Sequence, residues 1–227
     1  HRDPWWTPVP HDLGEQPKRV ALCVEPSGVQ ADPVVEYALR DAASRLEASG
    51  WIVDEVKGPD MREPARLQAL LWLAEFRRGA HESLVKEDDQ DALFVYQQME
   101  RYCEKADTND LLDCLQRRVT LARDWQIFFD KYPVLLCPNS AERPFIDQLD
   151  VLSTVGFDRV FTAQLTQIAP PFLGLPGLSV ATGIGAENIP MGVQLISARF
   201  REDTLMAAGR DIESTGPDLP PVDPANM

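Results

Sequence analysis

The side chains able to do chemistry are few and scattered. Ser179 stands in GLSVA rather than in a G-x-S-x-G turn, the elbow that exposes a hydrolase nucleophile. A hydroxyl bonded locally within an apolar strand is therefore the expectation there. His1, His11 and His81 fall in a terminus, a proline-rich arm and a polar helix, settings that suit neither a shared base nor a metal site. Cys23, Cys103, Cys114 and Cys137 lack the close pairing of zinc knuckles and redox motifs, so reduced, buried thiols are expected and no metal or cofactor is implied. Cys137 closes an apolar run, where burial disfavours the nucleophilic thiolate. Gly183 and Gly185 form G-x-G with Glu187 and Asn188 behind them, without the further glycine of a dinucleotide fingerprint. The acidic cluster Glu87, Asp88, Asp89 and Asp91 lacks the glycine and closing glutamate of a calcium loop and reads as a solvated connection.

The elements that must position these groups follow from the hydrophobic periods. Residues 19–24 (RVALCV) form a short apolar run ended by Pro26, Ser27 and Gly28, the pattern of a buried strand. Asp32 before Pro33 is a helix start, Val35, Leu39, Ala42 and Leu46 give the stripe, and Gly50 closes it. With a second strand at 51–56, this predicts a βαβ unit with a parallel pair. Residues 62–131 read as a helical insertion of two or three long helices, with Leu67, Leu70, Leu71 and Ala74 on one stripe and Leu115, Val119, Ala122 and Phe129 on another. Residues 134–137 (VLLC) predict a strand followed by a Pro-, Asn- and Ser-rich loop. Strands at 178–182 and 192–196, joined by a turn, precede a helix at about 202–213 with Leu205, Ala208 and Ile212 inward.

The organisation expected is an extended proline-rich arm at 1–18, carrying Trp5 and Trp6, an α/β portion at 19–213 and a proline-rich tail at 214–227. The fold class is α/β, a mixed sheet flanked by helices. With 227 residues, 36 acidic and 22 basic, the formal charge is −14, which repels phosphate backbones and anionic lipid, so neither nucleic acid nor membrane is expected as a partner. No apolar run reaches a membrane span and no signal-like segment opens the chain, so a cytoplasmic setting is expected.

LGLPGLSVATG with Gly174, Leu175 and Pro176, then IPMGVQLI with Pro190, Gly192 and Gln194, then REDTLMAAGRDIE at 201–213, resembles the C-terminal part of the amidase signature family, hydrolases of carboxamides. DPWWTP at 3–8, the βαβ unit and VLLCPNSAERPF at 134–145 extend the likeness, in order, over nearly the whole chain. The chain departs from the family at Pro171, where an asparagine is usual, and at Ala181, where a proline is usual.

The resemblance implies a serine, cis-serine and lysine relay acting through an acyl-enzyme, with its residues in an N-terminal Gly- and Ser-rich segment. This chain has no Ser-Ser pair, and Lys18, Lys57, Lys86, Lys105 and Lys131 stand at element ends or among charges rather than in an apolar interior. It is thus expected to hold no catalytic residue and to be inactive alone. Its expected partners are the N-terminal half of the same amidase and a small carboxamide, with a homodimer also compatible. Cys137, Pro138, Asn139, Phe145 and Phe172 are the candidates for pocket lining, and Gly174, Pro176, Gly183, Pro190, Gly192 and Gln194 the structural motif. A non-catalytic amide-binding or scaffold module and a glutamine-dependent amidotransferase subunit stand as alternatives.

Overall fold

The computed structural model describes residues 14–103, 107–185 and 189–217. Most of the proline-rich arm with Trp5 and Trp6, the turn residues Glu187 and Asn188, and residues 218–227 of the tail lie outside the described residues.

Among the described residues, five strands form one mixed sheet in the order β2-β1-β3-β5-β4. β1 (Arg19–Leu22) pairs in parallel with β2 (Ile52–Glu55) and with β3 (Val134–Pro138). β5 (Pro190–Ser197) runs antiparallel to β3 and to β4 (Gly177–Ile184), one of the two edge strands among the described residues. The central strands are buried on both faces, so their apolar runs are continuous rather than alternating. α1 (Pro33–Ala48) makes the predicted crossover: Asp32 caps it by accepting from the Val34 N–H at 2.9 Å, and Val35, Leu39, Ala42 and Leu46 are buried. α1 and α9 (Glu202–Ser214) cover one face over an aliphatic core that includes Val20, Leu22, Leu39, Leu136, Leu195, Leu205 and Ile212.

The helical layer on the other face departs from the expectation in one added short helix and in the inward stripe of its last helix. Among the described residues, 62–131 hold three long helices, α2 (Arg62–Gly79), α4 (Gln90–Tyr102) and α5 (Thr108–Lys131), as expected, with a short one, α3 (His81–Glu87), added between α2 and α4. The acidic cluster breaks the run: Asp88 adopts φ 52° to end α3, and the Asp89 carboxylate caps α4 through the Asp91 and Ala92 N–H groups. On α5 the buried stripe is Cys114, Leu121, Trp125 and Phe129, whereas Leu115 and Val119 are exposed. The Trp125 indole explains the shift, because it is the largest apolar side chain of the helix and turns its own row inward.

The sequence reading leaves residues 149–173 without helices, yet α6 (Leu149–Leu152), α7 (Thr154–Ala163) and α8 (Leu165–Leu173) occupy them. α8 holds Pro170 and Pro171 in its interior, where proline normally breaks a helix. Phe157, Phe161 and Phe172 pack with Trp125, Phe129 and Tyr132 into an aromatic core on this face.

A polar row at the carboxyl ends of the strands

The parallel strands deliver their carboxyl ends to one rim of the sheet, where open α/β sheets place their ligand crevices. Two concavities lie there, on either side of the start of α1. One, about 840 Å³, is bordered by Glu25, Ser27, Arg40, Glu55, Lys57 and Asp60. The other, about 230 Å³, is walled by Val35, Asn139, Phe145, Gln164, Met191 and Gly192.

Sheet register assembles a polar row beside the smaller cavity. Cys137 on β3 is opposite Gln194 on β5, and Gln194 is opposite Ser179 on β4, so the three side chains share the sheet face that meets α8. The Ser179 hydroxyl donates to the Asn139 Oδ1 at 3.0 Å, forty residues away in sequence, not to its own strand as expected. Thr166 and Gln167, at the start of α8, donate to the Asn139 backbone carbonyl at 2.9 and 3.2 Å. Gln167 also donates to the Gln194 Oε1, and the Gln194 Nε2 donates to the Thr166 carbonyl at 3.1 Å.

That last bond explains how α8 accommodates Pro170. Pro170 has no N–H to give the carbonyl four residues earlier, which is that of Thr166. The Gln194 amide takes the vacant place, so a buried carbonyl stays paired and β5 is tied to the helix. Gly192 completes the arrangement. A Cβ there would lie 2.9 Å from the Val180 carbonyl oxygen and 3.3 Å from the Asn139 Nδ2, leaving room only for glycine.

The lining candidates divide by depth. Asn139 and Phe145 are half-buried on the cavity wall, Pro138 is buried at the end of β3, and Cys137 and Phe172 are fully buried in the core. Among the motif residues, Pro190 opens β5 on the cavity wall, Gly183 lies at a bulge of β4, Gly174 ends α8 at φ 67°, and the Pro176 carbonyl accepts from the Ser197 N–H at 3.3 Å.

Among the described residues no activated nucleophile emerges from this chemistry. Burial pushes the Cys137 thiol well above its ordinary value, with Cys23 nearby adding to the rise, and burial pushes Cys23 up to about 12. The partner of Ser179 is an amide oxygen, which is no base. His81 packs its ring against Tyr96 at 4.9 Å in the helical layer. Sequence reasoning passed over Ser27, which adopts φ 53° on the rim of the larger concavity and donates to the Asp60 Oδ1 at 3.0 Å. Although burial works against its charge, Asp60 is held below the usual carboxylate range by the N–H groups of Glu63 and Arg62 and by Ser27, and so is a weak base. The Ser27 hydroxyl also accepts from the Met61 N–H at 2.7 Å, which makes it a tie between the β1 loop and α2. Among the described residues no cluster of three or more His, Cys, Asp or Glu is placed to hold a metal ion, and no helix is long and apolar enough to cross a membrane.

Comparison with known proteins places the chain in a family and fold. The indoleacetamide hydrolase of Bradyrhizobium diazoefficiens is 34% identical over 217 residues, which cover 94% of this chain and 41% of that protein. One subunit of the glutamyl-tRNA(Gln) amidotransferase of Streptococcus suis is 25% identical over 222 residues, covering 87% of this chain and 44% of its own length. The solved structure of 6-aminohexanoate cyclic dimer hydrolase complexed with substrate has the same fold, with a TM-score of 0.71 at 18% identity over 92% of this chain and 46% of that one. The chain therefore spans less than half the length of these relatives. The amidase family profile matches residues 9–206, and so the chain belongs to the amidase family.

Proposed function

We propose that this chain forms one wall of the pocket of an amidohydrolase that cleaves a small aryl carboxamide through a serine acyl-enzyme, the nucleophile and its base lying outside these 227 residues. The observation that carries the reading is the 34% identity to an indoleacetamide hydrolase over 94% of this chain, set beside a rim whose described side chains include no activated nucleophile. In this role Phe145 and Met191 offer apolar surface to an aryl group. Asn139 is fixed by Ser179, Thr166 and Gln167 and keeps that wall in place. The remaining part of the amidase is the expected partner, docked against the open edge of β4, whose outward backbone groups have no neighbouring strand among the described residues. An amidotransferase subunit is the less supported alternative, given 25% identity and a net charge of −14.

The test is ammonia release from indoleacetamide by the full-length protein that contains this chain. Phe145→Ala is expected to raise KM about tenfold with kcat changed less than about threefold, the signature of lost ground-state binding. Equal kinetics in wild type and variant would remove Phe145 from the pocket. Turnover by the 227 residues alone would overturn the division of labour.

A further inference from the structure

At the far end of α8 from the polar row, about 13 Å away for nine residues of helix, two arginines converge on a single point. A Cβ built on Gly174 would lie 3.5 Å from the Arg118 Nη2 and 3.7 Å from the Arg199 Nε. Arg118 comes from α5 and is half-buried; Arg199 follows β5 and is exposed. In a chain with 36 acidic and 22 basic residues, arginines such as Arg19, Arg45, Arg101 and Arg159 each sit against a carboxylate. Arg118 and Arg199 have no ion pair or hydrogen bond among the described residues. Each instead holds an aromatic ring, Arg118 at 5.9 Å from the Phe172 centroid and Arg199 at 5.4 Å from that of Phe200. A guanidinium face held by a ring leaves the in-plane N–H edges available.

Helix capping does not use these edges. The Pro170 carbonyl already accepts from the Leu175 N–H at 3.1 Å and the Pro171 carbonyl from the Gly174 N–H at 3.2 Å. Arg199 also borders a concavity of about 300 Å³ shared with Gln16, Gln126, Asp130, Ser197 and Arg201. Of its charged groups, Arg201 is engaged by Asp203 at 2.7 Å, and Asp130 is the acid that faces the opening.

We propose that Arg118 and Arg199 form a two-guanidinium seat for a small oxyanion, phosphate or carboxylate, beside Gly174. Two converging forks suit the spread oxygens of such an anion, which chloride does not have. Gly174 keeps the approach clear, since any side chain there would enter the space between the forks.

Titration of the full chain with inorganic phosphate, and separately with acetate, at constant ionic strength set with chloride, tests the seat. The readouts are calorimetry and the Arg side-chain N–H resonances. Saturable phosphate binding is expected, about tenfold weaker in Arg118→Gln and in Arg199→Gln, unchanged in Arg123→Gln elsewhere on α5, and tighter in Asp130→Asn. Saturable acetate binding with the same variant pattern would assign the seat to carboxylates, and its absence to phosphate. Arg199 is exposed, so Arg199→Gln keeps the test open if Arg118→Gln perturbs folding. A response to phosphate no larger than to chloride, or equal binding by wild type and Arg199→Gln, would overturn the proposal.

Discussion

The two faces of the sheet are built from different materials. Under α1 and α9 the core is aliphatic, with Val20, Leu39, Leu46, Leu195, Leu205 and Ile212 buried and Trp51 the one aromatic side chain of the cluster. Under α2, α5, α7 and α8 it is aromatic and sulfur-bearing, with Trp125, Phe129, Phe157, Phe161 and Phe172 beside all four cysteines. The aliphatic face is a scaffold: two regular helices lie across the strands and bury one stripe each. The aromatic face carries the polar row Ser179, Gln194 and Asn139 and accepts prolines inside a helix in order to do so. A layer that must leave donors and acceptors in defined places gives up regular periodicity, and its packing falls to large, shape-specific side chains.

This contrast predicts unequal responses to substitution. The largest effect is expected at Trp125, 1% exposed in the aromatic core, where Trp125→Ala should cost about 3–5 kcal/mol by chemical denaturation. Leu39→Ala on the aliphatic face, also fully buried, is expected to cost about 2–4 kcal/mol. If Leu39 proved the more costly of the two, the aromatic face would not rest on its large side chains. Gln194→Ala leaves the Thr166 carbonyl without its partner and the Gln167 amide with Asn139 alone, an expected loss of about 1–3 kcal/mol. Gln194→Ala with wild-type stability would show that α8 holds its prolines without β5. At the small end, Val119→Ser on the outward side of α5 should change stability by less than about 0.5 kcal/mol, since Val119 is 71% exposed.

The aliphatic face also carries an acid-sensitive tie. The Asp211 carboxylate accepts from the Trp51 Nε1–H at 2.8 Å and pairs with Lys18 at 3.2 Å, and these contacts, the indole first, hold it below the usual carboxylate range despite partial burial. A depressed folded-state value contributes stability that is present above the unfolded value near 4 and is lost as pH falls through the lower folded value. Thermal melts below about pH 4 should therefore show a smaller acid-induced drop in Trp51→Phe than in wild type. Equal drops would detach Asp211 from the acid response.

The same contrast sets how much was legible in the sequence. On the aliphatic face the Asp32–Pro33 start, the Val35, Leu39, Ala42 and Leu46 stripe and the Leu205, Ala208 and Ile212 stripe all stand as read, because one-sided burial of small apolar residues leaves a clean period. On the aromatic face the stripe of α5 was misplaced by one row, since Leu115 and Val119 score as core residues although Trp125 fixes the orientation. α8 is invisible in the sequence for a different reason: Pro170 and Pro171 forbid a helix by local rules, and the carbonyl that Pro170 leaves vacant is paired by the Gln194 amide, brought by a strand more than twenty residues later. The motif residues of the site were legible as types, but the bond between Ser179 and Asn139 depends on three strands in register, which no local pattern encodes.

The central claim is that this chain shapes a pocket while the nucleophile lies elsewhere. The most direct measurement is mass-spectrometric mapping of the label after the full-length protein reacts with a serine-directed fluorophosphonate. The account predicts a label on a serine outside these 227 residues, on a segment that stays bound to them under native conditions. A label on Ser179 or Ser27, lost together with amide hydrolysis in the corresponding alanine variant, would contradict it.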